Sequence, residues 1–439
     1  MKRKTVGYIG LIIAISFLAV VLLGGCSEGS SKGQEKPVTL FIYDPYGGDA
    51  TKDSVFAPEF EKFKEAHPMI KFESQLVVGD DVRTRIKVDA ASGKTPDVFG
   101  FGAFESMLGA VAAAGIPLEA DKYFEKSKTT KRSDYPAASL ATVTVYDGKT
   151  YSIPNQGYQF YFMVNKELFQ KFNLEYPETY EELLAVSKVF SDNGIVPLAV
   201  GSKGGNPSHF FYSELYVQLP GALEELKALK TSYKFDTDNA YRIAEVIDEM
   251  RRNKVFPKDT IAGGDWGPSF SLFAEEKAAM LFSFTFVLGG FPEEMRDKVE
   301  IIDVPRLPDG VLDPAEFTHA STVGGWVISK KAWEDEAKQA AIIEFVDWLT
   351  SVELMNIMAT IDVMPMRKEG LDPSNLTPMY KRILEYNKDK EVVPCHMTEL
   401  PDANSFSVFQ TTLDELWAGS ISPKDFVDKV QKSVEEAKN

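Results

Sequence analysis

The first features that could do chemistry are two Gly-Lys-Thr triplets, Gly93-Lys94-Thr95 and Gly148-Lys149-Thr150. A phosphate-cradling loop of this type needs another glycine five residues before the Gly-Lys pair, so that successive backbone amides can wrap the anion. Those positions hold Val88 and Val143, so neither triplet qualifies. No G-x-G-x-x-G dinucleotide fingerprint occurs. Cys395 and His396 are adjacent, but a nucleophile and its base are usually distant in sequence, and Cys395 reads as a small buried hydrophobe. The four histidines, His67, His209, His319 and His396, are far apart and form no H-E-x-x-H metal motif. Carboxylate pairs of the glycosidase kind need only be close in space. With 65 acidic residues, an exported carbohydrate-active enzyme therefore stays open as an alternative.

Aromatic residues are the richer signal: 30 Phe, 17 Tyr and 5 Trp. Many stand beside Gly, Pro or Asn, at loop-like places. Examples are Tyr43-Asp44-Pro45-Tyr46, Gly100-Phe101-Gly102, Asn155-Gln156-Gly157-Tyr158, Asp265-Trp266-Gly267 and Gly325-Trp326. A flat, rigid, apolar ring suits the C–H face of a sugar, and neighbouring Asp, Asn and Gln suit its hydroxyls. Each single aromatic has an ordinary alternative as core packing.

The elements that must hold these residues alternate between strand and helix patterns. Val38–Tyr43 is β-rich, and Phe56, Phe60 and Phe63 then recur at helical spacing up to His67-Pro68. A strand over 70–78, a helix over 82–91 and a short buried strand over 97–100 follow. Thr179 and Glu182 form a capping box, Ser329 starts a long helix running through Leu349, and Ser422-Pro423 starts a terminal one. The apolar stretch 278–291 is too short for a membrane span and reads as buried strand and turn. Alternation of this kind predicts α/β architecture with largely parallel sheets, and 439 residues suit two medium domains. The net charge of −17 disfavours nucleic acid and anionic lipid as partners of the globular part.

The N-terminus reads Met-Lys-Arg-Lys, then an uncharged apolar run over 6–23, then Leu23-Gly24-Gly25-Cys26. This resembles a bacterial lipoprotein signal peptide with its lipobox. An uncleaved membrane anchor is the alternative, and the cysteine directly after Leu-Gly-Gly decides against it. The resemblance implies cleavage before Cys26, diacylglycerol on its sulfur and often N-acylation (palmitate-type chains). Residues 27–36 are polar, a tether of about 17–19 Å. Loss of residues 1–25 removes Lys2, Arg3 and Lys4 and no acid, so the mature chain carries 45 basic and 65 acidic residues, net −20.

Several internal segments, taken in order, resemble the extracellular solute-binding proteins of family 1. They are Thr95-Pro96-Asp97-Val98, residues 147–154, residues 162–169, residues 172–183, residues 273–280, Gly324-Gly325-Trp326-Val327-Ile328-Ser329-Lys330 and residues 341–349. The resemblance implies a two-lobed, maltose-binding-protein-like fold, each lobe a central, mostly parallel sheet flanked by helices and joined to the other by hinge crossings. It places residues 38–153 plus 304–355 in lobe 1 and residues 154–303 plus 356–439 in lobe 2. It implies a monomeric, non-catalytic receptor that needs no metal or cofactor. This receptor is lipid-anchored on the outer face of the cytoplasmic membrane and delivers a sugar to the permease subunits of an ABC importer. A same-fold receptor for a non-sugar solute is the other reading. Carried over position by position, the ligand site comprises Tyr43, Asp44, Tyr46, Phe101, Asn155, Gln156, Tyr158, Phe284, Thr285, Trp326 and Asp362. His209 and Trp266 are added from local composition.

Overall fold

The computed structural model describes residues 36–46, 50–77, 81–205, 207–257, 266–393, 395 and 399–438; Cys26 and its flanking segment lie outside them. The folded body begins at Pro37. Among the described residues nine strands make its main sheet: β1 (Val38–Tyr43), β2 (Ile70–Gln75), β3 (Val98–Gly102), β4 (Ile153–Asn165), β5 (Val196–Ala199), β6 (Ala278–Phe284), β7 (Val299–Ile302), β8 (Ala320–Ile328) and β9 (Met364–Pro365). The helices used below are α1 (Ala50–Ala66), α2 (Asp81–Ala91), α3 (Tyr180–Asp192), α4 (Ser208–Tyr216), α5 (Glu336–Leu349), α6 (Val352–Ala359), α7 (Ala403–Ala418) and α8 (Pro423–Glu436).

Strand order is β2-β1-β3-β8-β4-β6-β5, with β7 and β9 also bonded to β4. The outer pairs β1–β2, β1–β3 and β5–β6 are parallel, and the central pairs through β8 and β4 are antiparallel. β4 is the pivotal strand. Up to Gln159 it pairs with β8, and Gly157 faces Met364 of β9. From Phe160 onward it pairs with β6 and β7 instead. One continuous strand therefore belongs to two groups of partners and is buried along almost its whole length, as a strand covered on both faces must be.

Alternation sorts side chains between two cores. Leu40, Ile42, Val98, Trp326 and Ile328 join Phe56, Phe63 and Phe345 in one cluster. Tyr43, Phe99, Phe101 and Val327 face the other way, into a cluster that continues through Tyr158 and Phe160 to Phe210, Phe409 and Phe426. The Gly324-Gly325 pair is demanded by close backbone approach. A Cβ on Gly324 would lie 2.0 Å from the Phe101 carbonyl oxygen, and one on Gly325 would lie 2.3 Å from that of Ile153.

Asp97, the acid of the Pro-Asp-Val segment, is a buried staple. Its Oδ2 accepts from the Phe41 amide at 2.8 Å, and Lys338 Nζ of α5 bonds both oxygens at 2.7 and 2.9 Å. The capping box forms as the sequence predicts: Glu182 N donates to Thr179 Oγ1 and Thr179 N to Glu182 Oε2. The helix expected from Ser329 to Leu349 is instead two. A single turn over Lys330–Trp333 stops, and Asp335 caps α5 by accepting from Ala337 N and Lys338 N. An aspartate favours that N-cap over a helix interior, because its short side chain competes for backbone amides. Residues 278–291 form β6 and a 3₁₀ turn. Among the described residues no helix is long and apolar enough to cross a membrane.

Candidate functional site

The chain leaving β3 turns sharply at Phe104, whose φ is +71°. A bulky side chain in the left-handed region is strained by about 1–3 kcal/mol and marks places where the surroundings force the conformation. A single π-helical turn, Phe104–Gly109, follows and presents Glu105, whose Oε2 accepts from the Tyr146 amide at 2.8 Å. Gly109 leaves that carboxylate its room: a Cβ there would lie 2.2 Å from Glu105 Oε1.

This turn forms one wall of a cavity of about 250 Å³, together with Thr142, Thr144 and Val145. The rest of the lining comes from distant parts of the chain: Phe160 of β4, Lys230, His319, Val393, Cys395 and Glu399. His319 Nδ1 lies 2.8 Å from Glu214 Oε1, with both side chains buried, and Lys230 Nζ lies 3.9 Å from Glu399 Oε2. Cys395 is buried and its thiol donates to Ser213 Oγ at 3.3 Å. The walls thus combine apolar faces with hydroxyls, carboxylates and cations, a mixture suited to a polar, uncharged small molecule. Among the described residues no group of three or more His, Cys, Asp or Glu is placed to hold a metal ion.

Phe160 ties the cavity to an aromatic cluster. It stacks on Phe210 of α4 with ring centroids 3.7 Å apart. Tyr158 and Phe284 stand 5.7 and 5.4 Å from Phe210, and His209 lies 3.8 Å from it and 6.1 Å from Phe406 of α7. Tyr158, Phe284 and His209, three residues picked from the sequence, therefore meet. Phe160, Phe210, Phe406, Phe104 and Glu105 complete the surroundings and were missed. Phe210 adjoins His209 and Glu105 lies four residues past Phe101, but nothing local distinguishes them from core residues.

The other selected residues lie elsewhere. Tyr43 is buried beside Phe99, and its hydroxyl donates to Asp89 Oδ2 at 2.8 Å; burial first, and then that carboxylate, push its ionisation well up. Asp44 is half-buried, with its amide donating to Gln75 O. Phe101 packs edge-on to Phe99 in the core. Gln156 is buried in β4 opposite Pro365. Thr285 Oγ1 accepts from Gln159 N at 3.3 Å. Trp266 is 37% exposed at a helix start. Trp326 is 1% exposed, inside the core on the opposite face of β8 from the cavity-side cluster, with Tyr46 edge-on at 5.8 Å. Its Gly-Gly flank reads as a loop, but the glycines serve a central strand. Tyr46 and Asn155 line a separate, smaller cavity.

Asp362 sits at φ +62°, buried, its carboxylate accepting from the Thr377 hydroxyl. Burial raises its pKa, while Thr377 and Arg296 pull the other way. The folded state thus holds the proton more tightly than the unfolded chain. Its contribution is fully present below the unfolded value and is lost as pH rises through the folded one. Asp362→Asn keeps an acceptor and a residue that tolerates this backbone. We expect it to raise Tm by about 1–2 °C at pH 7, with the gain shrinking towards pH 4. A pH-independent difference in thermal melts would refute this account.

Comparison with known proteins fits this architecture. A solved chitin oligosaccharide binding protein superposes with a TM-score of 0.80 at 20% identity, covering 91% of this chain and 99% of that one. The maltose-bound MalE3 of T. maritima superposes with a TM-score of 0.72 at 17% identity, covering 91% and 99%. The fold is therefore that of the two-lobed, maltose-binding-like proteins. The sequence pattern of the bacterial extracellular solute-binding proteins matches residues 47–355, and the chain belongs to that family. The melibiose/raffinose/stachyose-binding protein MelE of Bacillus subtilis is 21% identical over 428 residues, covering 95% of this chain and 94% of MelE.

Proposed function

We propose that this protein captures a sugar, of oligosaccharide size, between its two lobes and delivers it, unaltered, to the permease of an ABC importer. It works as a monomer held to the outer face of the cytoplasmic membrane by lipid on Cys26. The observation that carries the reading is β4. It changes partners between Gln159 and Phe160, and Phe160 itself lines the cavity. A bend at that point would open or close the walls against each other. Lobe 1 then comprises residues 38–153 plus 304–355, and lobe 2 residues 154–303 plus 356–439. The named ligands of the relatives, melibiose, raffinose and stachyose, chitin oligosaccharides and maltose, support a saccharide.

The proposed ligand contacts are Phe160, Phe104 and Glu105, which line the cavity, with Tyr158, His209, Phe210 and Phe284 in the aromatic cluster behind Phe160. At about 250 Å³ the cavity lies near the lower end of small-molecule sites, roughly 300 Å³, so an oligosaccharide enters as the walls part. The test is a thermal-shift panel on residues 27–439 with α-galactosides and chito-, malto- and xylo-oligosaccharides. A ligand at about 100 times its Kd adds roughly 2.7 kcal/mol to stability. We expect one glycan class to raise Tm with no release of reducing ends. No shift across the panel would transfer the reading to a non-sugar solute, and sustained release of reducing ends would make the protein an enzyme.

A further inference from the structure

The lining of the large cavity accepts an uncharged ring, yet its charges do not cancel. Its described carboxylates and bases are Glu105, Glu399, Lys230 and His319. Lys230 stands 3.9 Å from Glu399, and His319 stands 2.8 Å from Glu214. The first pair is neutral; the second is neutral with a protonated imidazole and negative without one. Glu105 is left over. Among the described residues it pairs with no Lys, Arg or His. It is held in place instead by the Tyr146 amide and by the room that Gly109 leaves it. Two aromatic rings, Phe104 and Phe160, line the same space. Ring faces and a carboxylate around one small cavity both attract an ammonium group. The chain's net charge of −17 adds a field of the same sign.

Resting on the reading of a sugar receptor, we propose that the captured saccharide carries a protonated amine, as an amino sugar without an N-acetyl group does, and that Glu105 selects it. The carboxylate is fixed before the ligand arrives, so binding costs little ordering at this point. A hydroxyl or an N-acetyl group leaves the charge of Glu105 uncompensated, and a uronate is repelled by it.

The test is calorimetric titration of the mature protein at about pH 6, where a sugar amine is protonated. The probes are glucosamine, galactosamine and β-1,4-linked glucosamine oligomers, each beside its N-acetylated form, with oligogalacturonate as the anion and putrescine as an amine without a ring. We expect an amino form to bind at least about tenfold more tightly than its N-acetylated form, with that ratio falling as salt is added. Glu105→Gln, which keeps an acceptor for the Tyr146 amide, should abolish the ratio. Equal or tighter binding of the neutral forms, or a ratio that salt and Glu105→Gln leave unchanged, would overturn the inference while sugar capture stands. Putrescine bound while every saccharide fails would overturn sugar capture itself, and this inference with it.

Discussion

Trp326→Ala should destabilise the protein by about 3–5 kcal/mol, the range for deleting a large ring from a closed core, and leave ligand affinity in the folded protein unchanged. The indole fills the space above Gly100, where even a Cβ would stand 3.5 Å from its Cζ3. Tyr46, which packs edge-on to it, meets Phe56 in turn at 4.8 Å, so collapse of the hole would have to move a chain of rings. The indole Nε1 finds no hydrogen-bond partner among the described residues. Hence its contribution is shape and area, and Trp326→Phe should cost far less. Urea unfolding followed by circular dichroism, paired with calorimetric titration of whichever glycan the panel selects, reads both quantities. A normal unfolding midpoint with abolished binding would place the ring in the ligand site and sink this assignment.

The other large effect concerns residue 26. If Cys26 carries two or three acyl chains, each buried methylene contributes about 0.8 kcal/mol to membrane attachment, and a multiply acylated protein stays bound where a singly acylated one exchanges. Cys26→Ser removes the sulfur that would bear the diacylglycerol. We expect a fatty-acid label fed to the producing cells to mark the parent protein and to be lost in Cys26→Ser, which keeps its apolar run over residues 6–23, with the folded body and ligand affinity intact. A parent protein that takes up no label would show that this run holds it as an uncleaved anchor.

How far the sequence reached depended on the range of the forces involved. β1, α1, β2 and the capping box at Thr179 were legible because alternation, helical spacing and a local pair of hydrogen bonds specify each within a few residues. Asp335 was misread as helix interior because a capping aspartate and an interior one look alike until the backbone direction is known. In the candidate site, Tyr158, Phe284 and His209 were selected and do meet. Phe104 and Glu105 line one cavity with Val393, Cys395 and Glu399, from the far end of the chain. The pairing of residues 317–318 with 391–392 anchors that end of the chain, and no local periodicity encodes it. Trp326 shows the converse error: a pair of glycines signals either a loop or two backbones pressed together, and here it is the second.

The strand order also sets when this chain can fold. β8 lies between β3 and β4, yet it leaves the ribosome long after both, so β3 and β4 have no sheet neighbour in common until residues 320–328 exist. Such non-local pairing must close a long loop before any contact compensates for it, which slows folding. Until then the strands can pair only as two separate groups, β2-β1-β3 and β4-β6-β5, and β8 is the piece that joins them into one sheet.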